Sequence, residues 1–598
     1  MDRQSVLGYI LIFVLLVAWM LLNAPHQTQQ PAKTEPPAQT KQVQVEDTVV
    51  QKAPEKPKPK AAREPNVLGK FFKGRGVGQE KVLTIETDLF TAEITTKGGL
   101  IKTWTLNKYT TWDDKPVELV DYEKGGDLSL LFTTSDGKLI DTRDLYFDMS
   151  YTGSSTVTLT GDQEFKIDLT VPTSTGGQLV KHLSFKNGVY GVGVDFRLTR
   201  MADAIANYEY QVIWESGLRY AERNSVDESS FAAAYAYAGK ELTEVDASSF
   251  DEKAKKEISG VVDWVATRTK YFAIALIPKQ GSSDGAYLEG TRQHAPDKGV
   301  IEKYSIAIAM PYKGGANEVG SFQVFMGPID YDLLKSYQIG LEQIVSLGWT
   351  WLRPISEYIM LPMMNGIHYL VPNWGLVIII FSVIIKVALH PLTRSSMRSM
   401  KKMQALQPLM TEIREKYKDD PQKMNQQIMN LYKEYGVNPA GGCLPLLLQF
   451  PILIALYTVF RSTIELRQAN FVWWITDLSI PDRIATLPFE IPFFGVRDIS
   501  GLALLMGVTM FIQQKMSVKD PRQKTMVWMM PILMTLLFNG FPAGLNLYYL
   551  VFNVLSIGQQ IMINRQAGEE PLRKVEQKKK SRGGVFGKIT KDLPRLKR

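Results

Sequence analysis

Hydrophobic positions along the chain change their period three times, and each change marks a region. Val6–Ala24 (VLGYILIFVLLVAWMLLNA) is a run of 19 mostly apolar residues. At about 1.5 Å per residue this suits one membrane crossing. The run is long for the apolar part of a cleaved leader and lacks an A-x-A exit, so residues 1–24 are expected to be an uncleaved anchor. Residues 25–65, rich in Pro, Gln, Lys and Glu, cannot bury a core and predict an extended tether.

From 66 to 328 the period falls to two. VLTIETDLFTAEITTKGG, STVTLTG, EFKIDLTV, VYGVGVDFRLT and KYFAIALIP alternate or cluster β-branched and aromatic residues between Gly, Asn and Asp. Without strand–helix alternation, the pattern predicts a mostly antiparallel all-β sandwich. Residues 329–352 return to helical spacing. Leu333, Leu334, Tyr337, Leu341, Ile344, Val345 and Leu347 form an apolar stripe followed by Trp349 and Trp351. That predicts an amphipathic helix, lying at a membrane interface or packed on the β-domain.

Beyond 353 long apolar runs dominate. Five spans are expected at about 355–390, 443–464, 501–514, 525–539 and 545–563, within a core of residues 353–564. Pro362, Gly366 and Pro372 interrupt the first half of the first span, which becomes continuous near Trp374. Between the first two spans, residues 395–435 are polar and charged and predict a helical hairpin turning at Asp419–Pro421. Met397, Met400, Met403, Met410 and Met424 lie on its apolar stripe, either exposed for adaptable contact or closed against the partner helix. With the anchor, six spans result. The hairpin, the 515–524 loop and the 565–598 tail are Lys/Arg-rich and fall on one side, which predicts both termini in the cytoplasm and residues 25–353 outside.

Charge and composition narrow the chemistry. The chain has 598 residues and a net charge of +8, concentrated in a tail with 12 Lys/Arg against 4 Asp/Glu from Arg565 onward. Such a tail suits anionic lipid or RNA. The single cysteine, Cys443, precludes an intramolecular disulfide, and the five histidines show no metal-ligand spacing. No G-x-x-x-x-G-K-[ST] loop is present, so the sequence offers no nucleotide-driven motor. No metal, cofactor or catalytic group is expected.

The polar residues inside the apolar runs are the informative ones. Ser382 and Lys386 share a helical face in WGLVIIIFSVIIKVALHPLT. Gln449, Thr509, Gln513, Gln514, Asn546, Asn553 and Ser556 are scattered over the other runs. Interhelical hydrogen bonding accounts for most of these singly. Lys386 differs, because no carboxylate lies in the continuous span from Trp374 or in the other four spans to pair with it. Either its ammonium snorkels to the headgroups, or it lines a water-filled cavity open to the cytoplasm. A secondary transporter would want paired intramembrane charges and repeats, and an intramembrane protease would want a nucleophile and base. The sequence supplies neither set.

WGLVIIIFSVIIKVALHPLT, the hairpin from KKMQALQP to LYKEYGVNPAGGCLPLLLQFPILIALY, LMGVTMFIQQKM and FPAGLNLYYLVFN strongly resemble the YidC family of membrane protein insertases. TKGGLIKTW and KYFAIALIP add weaker resemblance to its Gram-negative form, with a large periplasmic domain. The resemblance implies a five-helix core with a hydrophilic groove open to cytoplasm and lipid, a periplasmic β-supersandwich and a cytoplasmic hairpin that recruits substrate. It implies an inner-membrane insertase and chaperone, not an enzyme, that receives nascent membrane proteins alone or beside the Sec translocon. The charge of the basic tail adds ribosomes and membrane lipids as expected partners; DNA is not one. The resemblance places Lys386 where the family characteristically has arginine. Ser382, Tyr548 and Tyr549 fall on substrate-facing positions, with Tyr549 favoured as the contact, and Gln449, Thr509, Gln513 and Asn553 complete the expected groove.

Overall fold

The computed structural model describes residues 68–121, 125–250, 252–279, 283–437, 444–491, 494–517 and 524–566. The expected anchor, tether and basic tail, and Cys443, lie outside them. The chain divides into two compact units, meeting in sequence at Val345 and Ser346.

Among its described residues unit 1 is built from twenty strands in three sheets. The largest has nine. Its centre runs Phe272–Pro278, Asn317–Pro328, Gly191–Thr199, Gln178–Lys186 and Glu164–Pro172, each antiparallel to the next. A six-stranded sheet is centred on Gly299–Pro311, and a five-stranded sheet begins the unit. In that last sheet Val82–Glu86 pairs in parallel with Thr156–Thr158, the one parallel pairing among the described strands.

Alternation makes the core. In Gly191–Thr199, Val192, Val194, Phe196 and Leu198 are buried. They stand opposite Val324, Phe322, Gly320 and Glu318 of the neighbouring strand. Phe272–Leu276 is buried at every residue, so this strand is covered on both faces. Trp104 of the five-stranded sheet stacks on Phe90 at 3.8 Å between ring centroids, and its Nε1 donates to Met326 O at 3.2 Å. That bond ties two sheets together through a fully buried indole.

Charges are also buried here. Glu228, in the short helix α1 (Ser225–Ser229), accepts from the backbone N–H groups of Ala221 and Glu222. Burial pushes its carboxyl up to about 8. The fold therefore retains a proton that an unfolded chain has released above its ordinary value of 4.5. Stability contributed by this group is complete below that value and is lost as pH rises towards 8. The expected slope approaches ~1.4 kcal/mol per pH unit at its steepest. Glu228→Gln should flatten it, checked by melting curves of the full chain between pH 5 and 8.

The expected helix over 329–352 is not continuous. Asp330 caps α2 (Tyr331–Ser336) by accepting from Leu333 N. Gln338 and Gly340 then take positive φ angles of 57° and 77°, which end it. A 3-10 turn follows at Leu341–Ile344. Leu334, Leu341 and Ile344 are buried, and the segment is bound into the β-unit. Trp264 Nε1 donates to Ile339 O, Arg268 Nη1 to Ile344 O and Gln343 Nε2 to the Tyr237 hydroxyl. The apolar stripe up to Ile344 is therefore spent on the β-domain rather than on a lipid surface.

Unit 2 is helical. Its helices are α3 (Leu361–Leu370), α4 (Trp374–Ala388), α5 (His390–Ala405), α6 (Gln407–Lys416), α7 (Pro421–Glu434), α8 (Leu444–Ser462), α9 (Gly501–Ser517), α10 (Lys524–Phe538) and α11 (Ala543–Gln566). A π-helical turn at Ser356–Met360 leads into α3. The expected span 355–390 is thus two helices, broken at Val371–Asn373. Pro372 cannot continue α3, and Asn373 caps α4 by accepting from Leu376 N. Among the described residues no single helix is long and apolar enough by itself to cross a membrane. The pair Trp374–Ala388 and Thr393–Ala405 is long and apolar enough together, but bent by 64°, and Val527–Phe538 is a shorter apolar helix. Polar residues dilute the longer candidates: α11 has 24 residues but carries Asn546, Asn553, Ser556, Gln559 and Gln560.

The hairpin forms from α6 and α7, with α5 leading into it. Leu406, before Pro408, separates α5 from α6, so the expected first helix is divided. Leu406, Met410, Leu431, Tyr432 and Val437 make its own small core.

Candidate functional site

The candidate site lies where α4 meets α11. On α4, Phe381, Ser382 and Lys386 are buried. On α11, Tyr548, Phe552 and Ser556 recur every four residues and so share one face. Lys386 Nζ donates to Ser556 Oγ at 2.6 Å and sits 4.2 Å from the centroid of the Phe552 ring. Ser556 Oγ in turn donates to Phe552 O. Among the described residues no carboxylate forms an ion pair with Lys386. One hydroxyl and one aromatic face replace the hydration shell of a full charge, and a cation over a ring is attractive but weaker than an ion pair.

Towards the end of α4 the polar strip continues. Gln559 Nε2 donates to Thr393 Oγ1 at 3.2 Å and lies 3.2 Å from His390 Nδ1. Together Lys386, Ser556, Gln559, Thr393 and His390 form a polar track between α4–α5 and α11.

The other expected groove residues divide into two groups. Ser382 is fully buried and donates to Ile378 O of its own helix at 2.6 Å. It shares the face of Lys386 but makes no bond to it. Tyr548 belongs to the Lys386 face: it is fully buried, 6.1 Å from Phe381 and 5.9 Å from Phe552 between ring centroids. Its hydroxyl has no hydrogen-bond partner among the described residues. Tyr549 points elsewhere. It packs edge-on against Phe538 of α10, and Gln449 of α8 bonds its hydroxyl. Asn553 follows it round, its Nδ2 3.5 Å from Thr509 Oγ1 of α9. Gln513 is half-buried on α9. Tyr549, which the resemblance favours over Tyr548 as the substrate contact, thus packs away from Ser382 and Lys386. Position 548, not 549, is four and eight residues from Phe552 and Ser556, and helical periodicity puts it on their face.

The methionine stripe is mostly closed. Met410 is buried in the hairpin core and accepts from the Tyr432 hydroxyl at 3.4 Å. Met397 is buried on α5, Met403 packs against the hairpin core, and Met400 and Met424 are half-buried. Met429, which the spacing did not single out, is the exposed one. The hairpin thus presents one exposed methionine rather than a continuous Met surface.

One group escaped the sequence reading altogether. Asp482 is buried in the loop before α9, accepting from Trp474 Nε1 at 2.8 Å, Leu502 N at 3.0 Å and the Ser500 hydroxyl. Ser500 caps α9 through Ala503 N, and its own N–H donates to Asn539 Oδ1. A carboxylate at a helix N-terminus is favoured by the unpaired N–H groups there. An S/T/D/N cap beside Gly501 was a visible signal, but a partner 20 residues away was not.

The chain thus combines a layered β-unit with, joined to it in sequence, a set of largely apolar helices around a buried lysine. Residues 366–570 match the family model described as 60Kd inner membrane protein, and residues 82–361 match the YidC periplasmic domain. The chain is 40% identical over 575 residues to the membrane protein insertase YidC of Chlorobaculum parvum, covering 95% of this chain and 96% of that protein. It is 39% identical over 580 residues to the protein of the same name from Chloroherpeton thalassium, covering 96% and 97%. A solved structure of an active YidC insertase is 20% identical, covering 82% of this chain and 93% of that one, with a TM-score of 0.36. The chain belongs to the YidC family of membrane protein insertases, inner-membrane proteins with a periplasmic β-rich domain.

Proposed function

We propose that the chain inserts nascent membrane proteins into the inner membrane and assists their folding, alone or beside the Sec translocon, with the α4–α11 face as the groove that receives them. The observation that carries this reading is the buried Lys386, held by a hydroxyl and a ring instead of a carboxylate. A charge in such surroundings is costly, and its retention favours a role with an anionic or polar guest over a structural one. The six-span, N-in and C-in arrangement accompanies this proposal, with residues 25–353 periplasmic and the 395–435 hairpin and basic tail cytoplasmic. The hairpin meets the incoming segment, with Met429 as its exposed apolar contact. The polar tail of the segment passes Lys386, and the apolar segment moves past Ser382 and Tyr548 into lipid. Burying about 20 apolar residues drives the step without nucleotide. Ribosomes at the tail and lipids at the helix surface are further partners of this scheme.

The test is insertion in cells depleted of the native copy. Lys386→Ala is expected to impair substrates with short polar tails at normal protein levels, and Lys386→Arg to retain function. Equal insertion by parent and alanine variant would overturn the role of the charge.

A further inference from the structure

Between α8 and α9 the chain forms a two-stranded antiparallel hairpin, Ala485–Ile491 with Val496–Ile499. Ala485 stands opposite Ile499, and Ile491 stands opposite Val496 after a register shift between Thr486 and Ile491, so Leu487 and Phe489 lie in the irregular stretch between. Thr486 stands opposite Asp498 and donates to it at 2.6 Å. Apolar residues of the hairpin are open: Phe489 is 62% exposed, and Ile484, just before the first strand, 48%. No third strand joins this sheet among the described residues. An isolated two-stranded hairpin is marginally stable in water and needs a surface to pack on.

Three observations identify that surface. The hairpin base is fixed to the start of α9: Ile484 N donates to Ile499 O, and Asp482 accepts from both Ser500 and Leu502. It therefore cannot leave the level at which an apolar helix begins. Next, Asp482 also holds Trp474, on which Trp473 stacks at 5.8 Å with 85% of its surface exposed. An exposed indole at that level suits the headgroup region of a bilayer. Finally, Arg483 just before the hairpin, 3.9 Å from Asp498, and Arg497 on its second strand are exposed, where guanidinium groups can meet lipid phosphates.

We propose that this hairpin, with Trp473, is an interfacial anchor whose exposed apolar residues lie on the lipid surface from which α9 enters the membrane. The partner is the bilayer boundary, with phosphate headgroups at the arginines and acyl chains at Phe489 and Leu487. The anchor would hold the α9 and α11 mouths at fixed depth.

The test uses the full chain in lipid nanodiscs, with Cys443 replaced by serine and a nitroxide label introduced at Phe489→Cys, Leu487→Cys or Thr486→Cys. Collision with oxygen, which concentrates in lipid, is compared with collision with a water-soluble nickel chelate. Labels at 489 and 487 are expected to show an oxygen-to-nickel ratio several-fold above that at 486, and charged Arg483→Glu and Arg497→Glu changes to lower it. Aqueous ratios at all three positions would overturn the proposal. So would labels at 489 and 487 shielded from both reagents, since that means protein, a second copy included, covers these residues.

Discussion

Replacing Lys386 by methionine is expected to make the protein more stable and less active at once. The ammonium is buried against Ser556 and Phe552, with no carboxylate pairing among the described residues. Taking an ion out of water costs several kcal/mol even after relaxation, and apolar replacements of buried charged groups of similar volume are neutral or stabilising by about 1–4 kcal/mol. Methionine keeps the length of the lysine stem and would pack on Phe552. Thermal unfolding in detergent should therefore move to higher temperature. Insertion of short-tailed substrates should fall roughly tenfold, as for a lost contact of about 1.4 kcal/mol. A merely structural lysine would give the opposite pairing, lower stability with insertion following it. Ser556→Ala separates the two contributions further: the charge stays but loses its hydroxyl, so stability should drop while insertion persists.

The second large effect is expected far from this site, at Asp127 in the β-unit. Its carboxylate is fully buried and accepts from Arg143 Nη2 at 3.1 Å, Glu215 N at 2.9 Å, Ser216 N at 2.6 Å and the Ser216 hydroxyl. It also supports Lys181, a buried lysine donating to Gly99 O and Leu128 O. Burial depresses the Lys181 ammonium to about 7, and the nearby Asp127 charge opposes that fall. Asp127→Ala leaves Arg143 Nη2, the Ser216 hydroxyl and the backbone N–H groups of Leu128, Glu215 and Ser216 without this acceptor, and takes the nearby negative charge from Lys181. Breaking a buried pair from one side costs about 3–5 kcal/mol. The full chain should then lose its β-unit first on heating, seen as early proteolysis within residues 68–345. A melting curve unchanged from the parent would show that water or Glu215 replaces the carboxylate. Because the folded Lys181 value lies below its ordinary 10.5, this lysine adds stability as pH rises from about 7 towards 10.5. Asp127→Ala should start that rise at lower pH.

Much of this architecture was legible in the residues, and the losses have physical reasons. Strand alternation located Gly191–Thr199 and Phe272–Pro278, because burial there follows period two or covers both faces. The apolar runs located the helices of unit 2 to within a few residues, apart from the first, where Pro372 divides a continuous apolar stretch into two helices. The stripe before Trp349 was read as one helix because periodicity does not reveal that Gln338 and Gly340 adopt positive φ.

At the candidate site, spacing put Ser382 and Lys386 on one face of α4, and both are buried there. It did not choose between Tyr548 and Tyr549, since either phase of α11 carries polar residues: Ser556 and Gln559 on one side, Asn553 on the other. Only the position of α4 decides which phase is relevant. Asp127 and Asp482 were invisible for a related reason. Their partners lie 88 and 20 residues away in Glu215 and Leu502, and no local pattern connects them.

The most direct measurement is site-specific photo-crosslinking from positions 382, 386, 548 and 549 to a stalled nascent membrane protein with a short polar tail. A groove along the α4–α11 face predicts crosslinks from 386 and 548, with the polar tail captured at 386 and the apolar segment at 548, and weaker ones from 549. Crosslinks from 549 alone, or from none of the four while the 395–435 hairpin still captures substrate, would contradict it.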